Sequence, residues 1–351
     1  MKHTMKYNDL EEKWSLRWFQ FILDHPDIDW DWSDLSRNPN VSWKIIQDNP
    51  DKPWNWYSIC ANPNITWDII RNNLDKPWDW GYLSEHPNIT WDIIEANPDK
   101  PWDWSDISCN PNITWDIIEA NPNKDWNWGM ISCHQNITCD IIDSNPHKPW
   151  DWTYISQNPN ITLEFIDNHP DKSWLWNCLS ENLDISWETI EENLDKVWNW
   201  RSVSEHPRIT WDIIQRNTDK PWLWSCLSEH PNITWEIIEW NPDKPWSWEY
   251  IACNPNITLD IIDANRDIEW NYNWISLNPN ITWEIIEARL DKDWDWDFIS
   301  GNNMRKYKES WIHEKCLQHI KALQIQKHWR NCTCNPEFKL AQKLLLRLYV
   351  S

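Results

Sequence analysis

Six side chains near the C-terminus have the chemistry of metal ligands: His313, Cys316, His319, His328, Cys332 and Cys334. Zinc takes four nitrogen or sulfur ligands, paired at spacings such as C-x2-4-C. Here the pairs are C-x-C and H-x3-C, so these residues read as polar faces of a capping helix plus surface thiols. Nucleophile and phosphate motifs are missing as well: the chain has no G-x-x-x-x-G-K, G-x-S-x-G or H-E-x-x-H. Asp and Glu are plentiful but recur at equivalent positions, whereas a catalytic pair would be unique to one place. His134-Gln135, Cys139 and Arg266 depart from the pattern and read as drift in single copies. No catalytic residue, metal or cofactor is expected.

The elements that would position any chemistry are set by a 24-residue repeat. Trp43, Trp67, Trp91 and Trp115 stand 24 apart, and the W-x-W pairs Trp30/Trp32 to Trp294/Trp296 keep the same beat. A fixed period of this length marks a stacked array in which each unit packs on its neighbours. In one copy, Thr114 is placed as an N-cap, Asp116 lies in the first turn, and Ile113 and Ile118 are placed as a hydrophobic staple. Asn121-Pro122 stops this helix A, because the residue before Pro avoids the α region. Asp103 is the candidate cap of helix B, with Trp104 at its first position and Trp102 and Ile107 as its staple pair. Both helices fall below the roughly 12–15 residues that an isolated helix needs, so stacking must hold them. The expected fold is all-α: an α-solenoid of about twelve two-helix repeats, strongly curved, with helical caps at both ends. A β-solenoid is the rival for this period. It would want alternating polarity and Gly turns, and the chain has 3 Gly. With 37 Trp, the Trp positions are expected to be buried and to supply most of the core, each removing roughly 150–250 Å² from water.

The expected organisation is an N-terminal capping helix over 1–18, the array over 19–301, and a basic helical cap over 302–351. Leu10, Trp14, Trp18 and Phe21 form an apolar face on the first helix. Residues 304–330 read as a helix rich in Lys and His, and 336–349 as a short basic amphipathic helix. The chain opens without an apolar leader and holds no run of the roughly 18–20 apolar residues that cross a membrane. Its ten Cys therefore read as reduced thiols; Cys109, Cys133, Cys178, Cys226 and Cys253 read as small buried residues. Asn-x-Thr occurs repeatedly, as at Asn64-Ile65-Thr66 and Asn112-Ile113-Thr114. It is read as a turn Asn bonding local backbone and a helix-capping Thr, not as a glycosylation site.

Charge narrows the partners. The net charge is −23, yet residues 302–351 hold ten Lys/Arg and three Asp/Glu, leaving 22 and 52 of these in the first 301 residues. An acidic array repels phosphate backbones and attracts basic patches, so a protein partner is expected and nucleic acid is not. In the tail, Ile325-Gln326 with Arg330 is half of an IQ-type calmodulin motif, with Asn331 and Asn335 where Gly and a basic residue are required. The tail is read as drawn to the acidic array.

The phrase N-P-N-I-T-W-D-I-I-x-x-N-P-D-K-P-W-D-W resembles a repeat carried in many copies by proteins of giant DNA viruses of the mimivirus kind, and the tail Ile325–Cys332 with Asn335–Leu340 resembles a closing segment of the same set. The resemblance implies a protein of the host cytoplasm or the virus particle; it supplies no catalytic residue. The expected function is a non-enzymatic scaffold that binds a basic host or viral protein, the alternative being a structural component of the particle. Specificity would lie in variable positions: Arg71, Glu95, Glu119, Gln215 and Glu239 late in helix A, and Tyr57, Tyr82, Tyr154, Arg201 and Tyr250 early in helix B. Tyr and Arg are favoured anchors at interfaces.

Overall fold

The computed structural model describes residues 7–182 and 185–334, and every regular element among them is a helix. The chain divides into two compact units, Pro26–Asn303 on one side and Met1–His25 with Met304–Ser351 on the other.

Each repeat of the larger unit follows from its local sequence. Helix A of one copy runs Trp115–Ala120, after Thr114 in extended conformation (φ −102°, ψ 164°), and ends at Asn121 (φ −125°, ψ 55°) before Pro122. The Thr hydroxyl is less important than expected. At Thr114, Thr90, Thr210 and Thr234 it makes no capping bond. At Thr66, Thr138, Thr162, Thr258 and Thr282 it accepts one of 3.2–3.5 Å, near the limit for such bonds. The extended backbone at the cap, rather than the hydroxyl, starts helix A. Helix B is capped as its sequence requires: Asp103 Oδ1 accepts the N–H groups of Ser105 (2.8 Å) and Asp106 (3.2 Å). The two helices are joined by an indole. Trp102 Nε1 donates to the Asn97 carbonyl at 2.8 Å, satisfying a group the end of helix A leaves orphaned, and the equivalent bond recurs from Trp54 to Trp294.

Polar side chains then bind one repeat to the next. Asn110 Nδ2 donates to the carbonyls of Ser84, His86 and Ile89 in the preceding repeat, at 2.8–3.2 Å. Asn112 Nδ2 donates to Pro87 and Ile89. Ser108 Oγ donates to the Trp104 carbonyl and accepts the N–H of Asn127 in the following repeat. The ring of Trp104 meets that of Trp126 edge to face at 5.3 Å.

The same bonds join the last repeat to the first. Ser300 Oγ accepts the N–H of Asp31 at 3.1 Å. Asn38 Nδ2 donates to the carbonyls of Ser300 (2.9 Å) and Asn302 (3.3 Å), and Asn40 Nδ2 to that of Asn303 (2.8 Å). Trp296 meets Trp30 edge to face at 5.4 Å. The strongly curved α-solenoid expected from the sequence therefore closes on itself as a ring. Twelve B helices, from Trp32–Arg37 to Trp296–Gly301, complete it, each one-twelfth of a turn from the next. The closest helix-to-helix approaches in the ring are all between neighbouring B helices, so these form the inner wall and the A helices the outer rim.

The core also differs from expectation. The fully buried apolar set consists mainly of Ile and Leu, including Ile59, Ile65, Ile70, Ile107 and Ile113. The Trp positions are buried only in part: Trp30, Trp78, Trp126, Trp187, Trp198, Trp222, Trp283 and Trp294 are buried as expected, whereas Trp43, Trp67, Trp91 and Trp115 are half-buried where each spans the junction to the next repeat. Trp115, for example, lies 5.7 Å from Trp150.

In the smaller unit, Tyr7–Asp24 forms one helix and Arg305–Cys334 another. Leu10, Trp14, Trp18 and Phe21 are buried, and Trp14 packs against Tyr307 (4.9 Å) and Trp311 (5.7 Å). The expected helix over 336–349 lies outside the described residues.

Candidate binding surface

The expected contact residues fall on two opposite surfaces of the ring. Arg71, Glu95, Glu119, Gln215 and Glu239 are exposed at the ends of A helices, on the outer rim. Tyr57, Tyr82, Tyr154, Arg201 and Tyr250 lie on B helices. In each B helix the fourth and fifth residues are buried, as with Leu35 and Ser36 in Trp32–Arg37. At 3.6 residues per turn, the second, third and sixth positions then point the other way, into the ring. One partner surface cannot take in both sets without wrapping the rim.

The inner positions have their own composition. The second-position residues include Glu249 and Asp297, the third Asp34 and Asp106, and the sixth Glu85, Glu181, Glu205 and Glu229. The cations among these positions are Arg37 and Arg201, and both are already paired. Arg37 meets Asp34 at 2.5 Å and Arg201 meets Glu205 at 3.0 Å. Burial first, and crowding by like charge second, show in the carboxyls. Burial and the neighbouring Asp106 hold Glu85 above the ordinary carboxylate range; burial with Asp103 and Asp79 does the same for Asp106, and burial with Glu205 for Glu229. Asp297 is raised by desolvation and by Asp295, Asp31, Asp29 and Asp34, three of which come from the far side of the closure.

Aromatic side chains share this wall. The rings of Tyr57 and Tyr82 meet edge to face at 4.2 Å, and their hydroxyls are hydrogen-bonded, which pushes Tyr82 up to about 12. Tyr154 covers Gly129, where a Cβ would stand 3.3 Å from its ring. Tyr250 lies 5.2 Å from Trp274, which lies 6.5 Å from Phe298. Trp274 and Phe298 were not singled out in the sequence, although each holds the same position in its repeat as Tyr250, 24 and 48 residues on.

Several other residues have structural roles. His134 is not drift: with His86, His206 and His230 it takes the place of Asn110. In each, Nε2 meets a carbonyl of the preceding repeat at 3.0–3.3 Å and Nδ1 accepts a backbone N–H two residues on. An accepting Nδ1 fixes the neutral tautomer, and burial lowers the basicity of all four rings. The Asn of the Asn-x-Thr sequences bonds the preceding repeat rather than its own turn, as Asn64 does with Pro39 and Val41. Cys139 lines a groove with Asp143, Thr162 and Phe165 where most repeats have Trp. Arg266 bonds the Asp263 carbonyl. Cys109 is exposed, not buried; Cys133, Cys178 and Cys253 are half-buried and Cys226 is buried. Cys109, Cys133 and Cys253 hold the sixth position of helix B, which faces the ring's interior; Cys226, at the third, is covered. Burial pushes the Cys253 thiol up to about 12. His313, Cys316 and His319 lie on the helix Arg305–Cys334, and the side chains of His328, Cys332 and Cys334 lie outside the described residues. Among the described residues no helix is long and apolar enough to cross a membrane. No protein-family model, curated protein or solved structure matches the chain.

Proposed function

We propose that the protein is a non-enzymatic scaffold that binds a basic protein through the acidic surface of its ring. The observation that supports this most is the unbalanced charge of the inner wall: eight carboxylates at the inward positions against Arg37 and Arg201, each of which already has its partner. A surface of one sign raises the encounter rate with oppositely charged partners and repels nucleic-acid phosphates. Each residue on the wall belongs to a set of twelve equivalents, which suits many weak contacts with an elongated partner.

The test is a fluorescence-anisotropy titration of the full chain with a labelled Lys/Arg-rich peptide, an acidic peptide of equal length and a single-stranded oligonucleotide. The basic peptide is expected to bind at low salt, with affinity falling as salt rises. Binding the oligonucleotide more tightly than the basic peptide would remove the proposal.

A further inference from the structure

The inner wall is not uniform: three of the six aromatic residues named on it follow one another on consecutive helices along one arc. Tyr250, Trp274 and Phe298 occupy the third position of three consecutive B helices, so one ring follows another along the wall at 5.2 and 6.5 Å. Phe298 is 37% exposed and Leu277, beside them, 40% exposed. Carboxylates bracket the arc: Glu249 precedes Tyr250, and Asp297 precedes Phe298. Past Phe298 the next third-position residue, across the closure, is Asp34. A half-buried to exposed row of aromatic rings, on a wall that also carries exposed carboxylates, suits a cation that is planar and apolar on its faces. A guanidinium stacks on the rings and donates in its plane to the carboxylates. An ammonium can use the charges but not the stacking.

We infer that the arc of Tyr250, Trp274 and Phe298, with Glu249 and Asp297, is the anchoring site for an arginine-rich extended segment of the partner. This rests on the reading that the partner is basic and adds its place on the ring and the residue type recognised. For the ring unit taken by itself, twelve helices spaced ~8–10 Å apart enclose an inner width of roughly 20–25 Å once side chains are allowed for, which admits an extended chain or a single helix.

The experiment uses the full chain and three labelled probes: nona-arginine, nona-lysine and nona-glutamate. Nona-arginine is expected to bind most tightly. Trp274→Ala should weaken it about five- to tenfold, the size expected of a lost cation–π contact. Because Trp274 also touches Tyr250 and Phe298, the paired variant Glu249→Gln with Asp297→Asn supplies an independent arm on exposed side chains. It should weaken nona-arginine by a similar factor at low salt. Asp116→Asn and Asp212→Asn, exposed on A helices of the outer rim, should leave binding unchanged. Circular dichroism of each variant establishes that it is folded. Nona-lysine binding as tightly as nona-arginine, or rim variants weakening binding as much as the arc variants, would overturn the inference and leave the broader proposal standing. Binding of neither cationic probe would overturn both.

Discussion

Two junctions in the ring can be compared atom for atom: one between neighbouring repeats, such as Asn158 with Ser132, and the closure, where Asn38 meets Ser300. In the first, the bonded residues are 26 apart in the chain; in the second they are 262 apart. The bond types are the same, as are the Ser hydroxyl that accepts the next repeat's N–H and the edge-to-face indole pair. What differs is the connection. An interior junction is held by a short covalent link, while the closure must meet the loop-closure entropy of the whole array. A ring therefore forms without a dedicated closing interface, provided each repeat turns by the same one-twelfth. Curvature is a property of the repeat, and closure is its sum.

The sharpest way to break the comparison is to change that sum. Deleting one period, residues 89–112, leaves eleven repeats whose accumulated turn falls one step short. The Asp31 amide, bonded to Ser300 across the closure, should then lose protection from hydrogen exchange by about a hundredfold or more, as a locally opened site does. The equivalent Asn55 amide, bonded to Ser36 within the array, should keep its protection. Retained protection at Asp31 would show that the repeats adjust their twist freely.

Next in size is the contrast between core and band. Ile107 is fully buried, so Ile107→Ala should cost about 2–5 kcal/mol in chemical denaturation. Trp115, only half-buried, should cost less on truncation, about 1.5–2.5 kcal/mol on the same basis. The reverse order would return the tryptophans to the role of principal core.

That contrast also marks what the sequence makes legible. Period, helix type, the Asp103 cap, the Asn-Pro stops and the helices Tyr7–Asp24 and Arg305–Cys334 follow from local rules, because each depends on a few neighbouring residues. Closure does not: it depends on a small rigid-body rotation multiplied twelve times, which no single residue encodes. Trp burial is legible only in part: Trp78, Trp126, Trp198, Trp222 and Trp294 are buried and also cap helix A with their indole N–H, while Trp43, Trp67, Trp91 and Trp115 bridge repeats half-buried. The equivalence of His134 with Asn110 was available, since His86, His206 and His230 stand at the same position. The separation of inner from outer contact residues required the direction of curvature.

The polar junctions give a smaller and more exact comparison. Asn158→Ala removes bonds to Ser132, His134 and Ile137, and Asn38→Ala removes those to Ser300 and Asn302. Each leaves buried carbonyls short of a donor and should cost about 1–3 kcal/mol. If the closure is an ordinary junction, the two values should agree within about 0.5 kcal/mol, the usual scatter between independent sites. A much smaller cost at Asn38 would mean that the ring opens readily there.

Junctions carrying His differ from those carrying Asn in their response to acid. The four rings are held neutral in the fold below their ordinary pKa of about 6.5. Their contribution is fully present above that pH and is lost as pH falls below it toward the folded values. Glu85, Asp106, Glu229 and Asp297 act in the opposite sense, since protonation relieves their burial and repulsion, starting from above the ordinary carboxylate range. The His contribution to stability should therefore begin to fall as pH drops below about 6.5. A variant with His86, His134, His206 and His230 all changed to Asn should lose that dependence in thermal melts at a series of pH values. An unchanged slope would sink this assignment.

The smallest effect compares two glycines. A Cβ at Gly81 would stand 3.1 Å from Asp106 Oδ2, and a Cβ at Gly301 would stand 3.1 Å from Asp34 Oδ2 across the closure. Both residues lie in helices, so Ala gains about 0.5–1 kcal/mol from the unfolded state, offset by the push on the carboxylate. The carboxylates differ in freedom. Asp106 is already crowded by Asp103 and Asp79, so displacement relieves repulsion, while Asp34 is held by Arg37 at 2.5 Å. Gly81→Ala should be neutral to slightly stabilising, and Gly301→Ala slightly destabilising, each within about 1 kcal/mol. Differential scanning calorimetry of the two variants resolves the sign. Stabilisation by Gly301→Ala equal to that at Gly81 would show that Asp34 is not fixed at the closure, and that the first and last repeats meet more loosely than any interior pair.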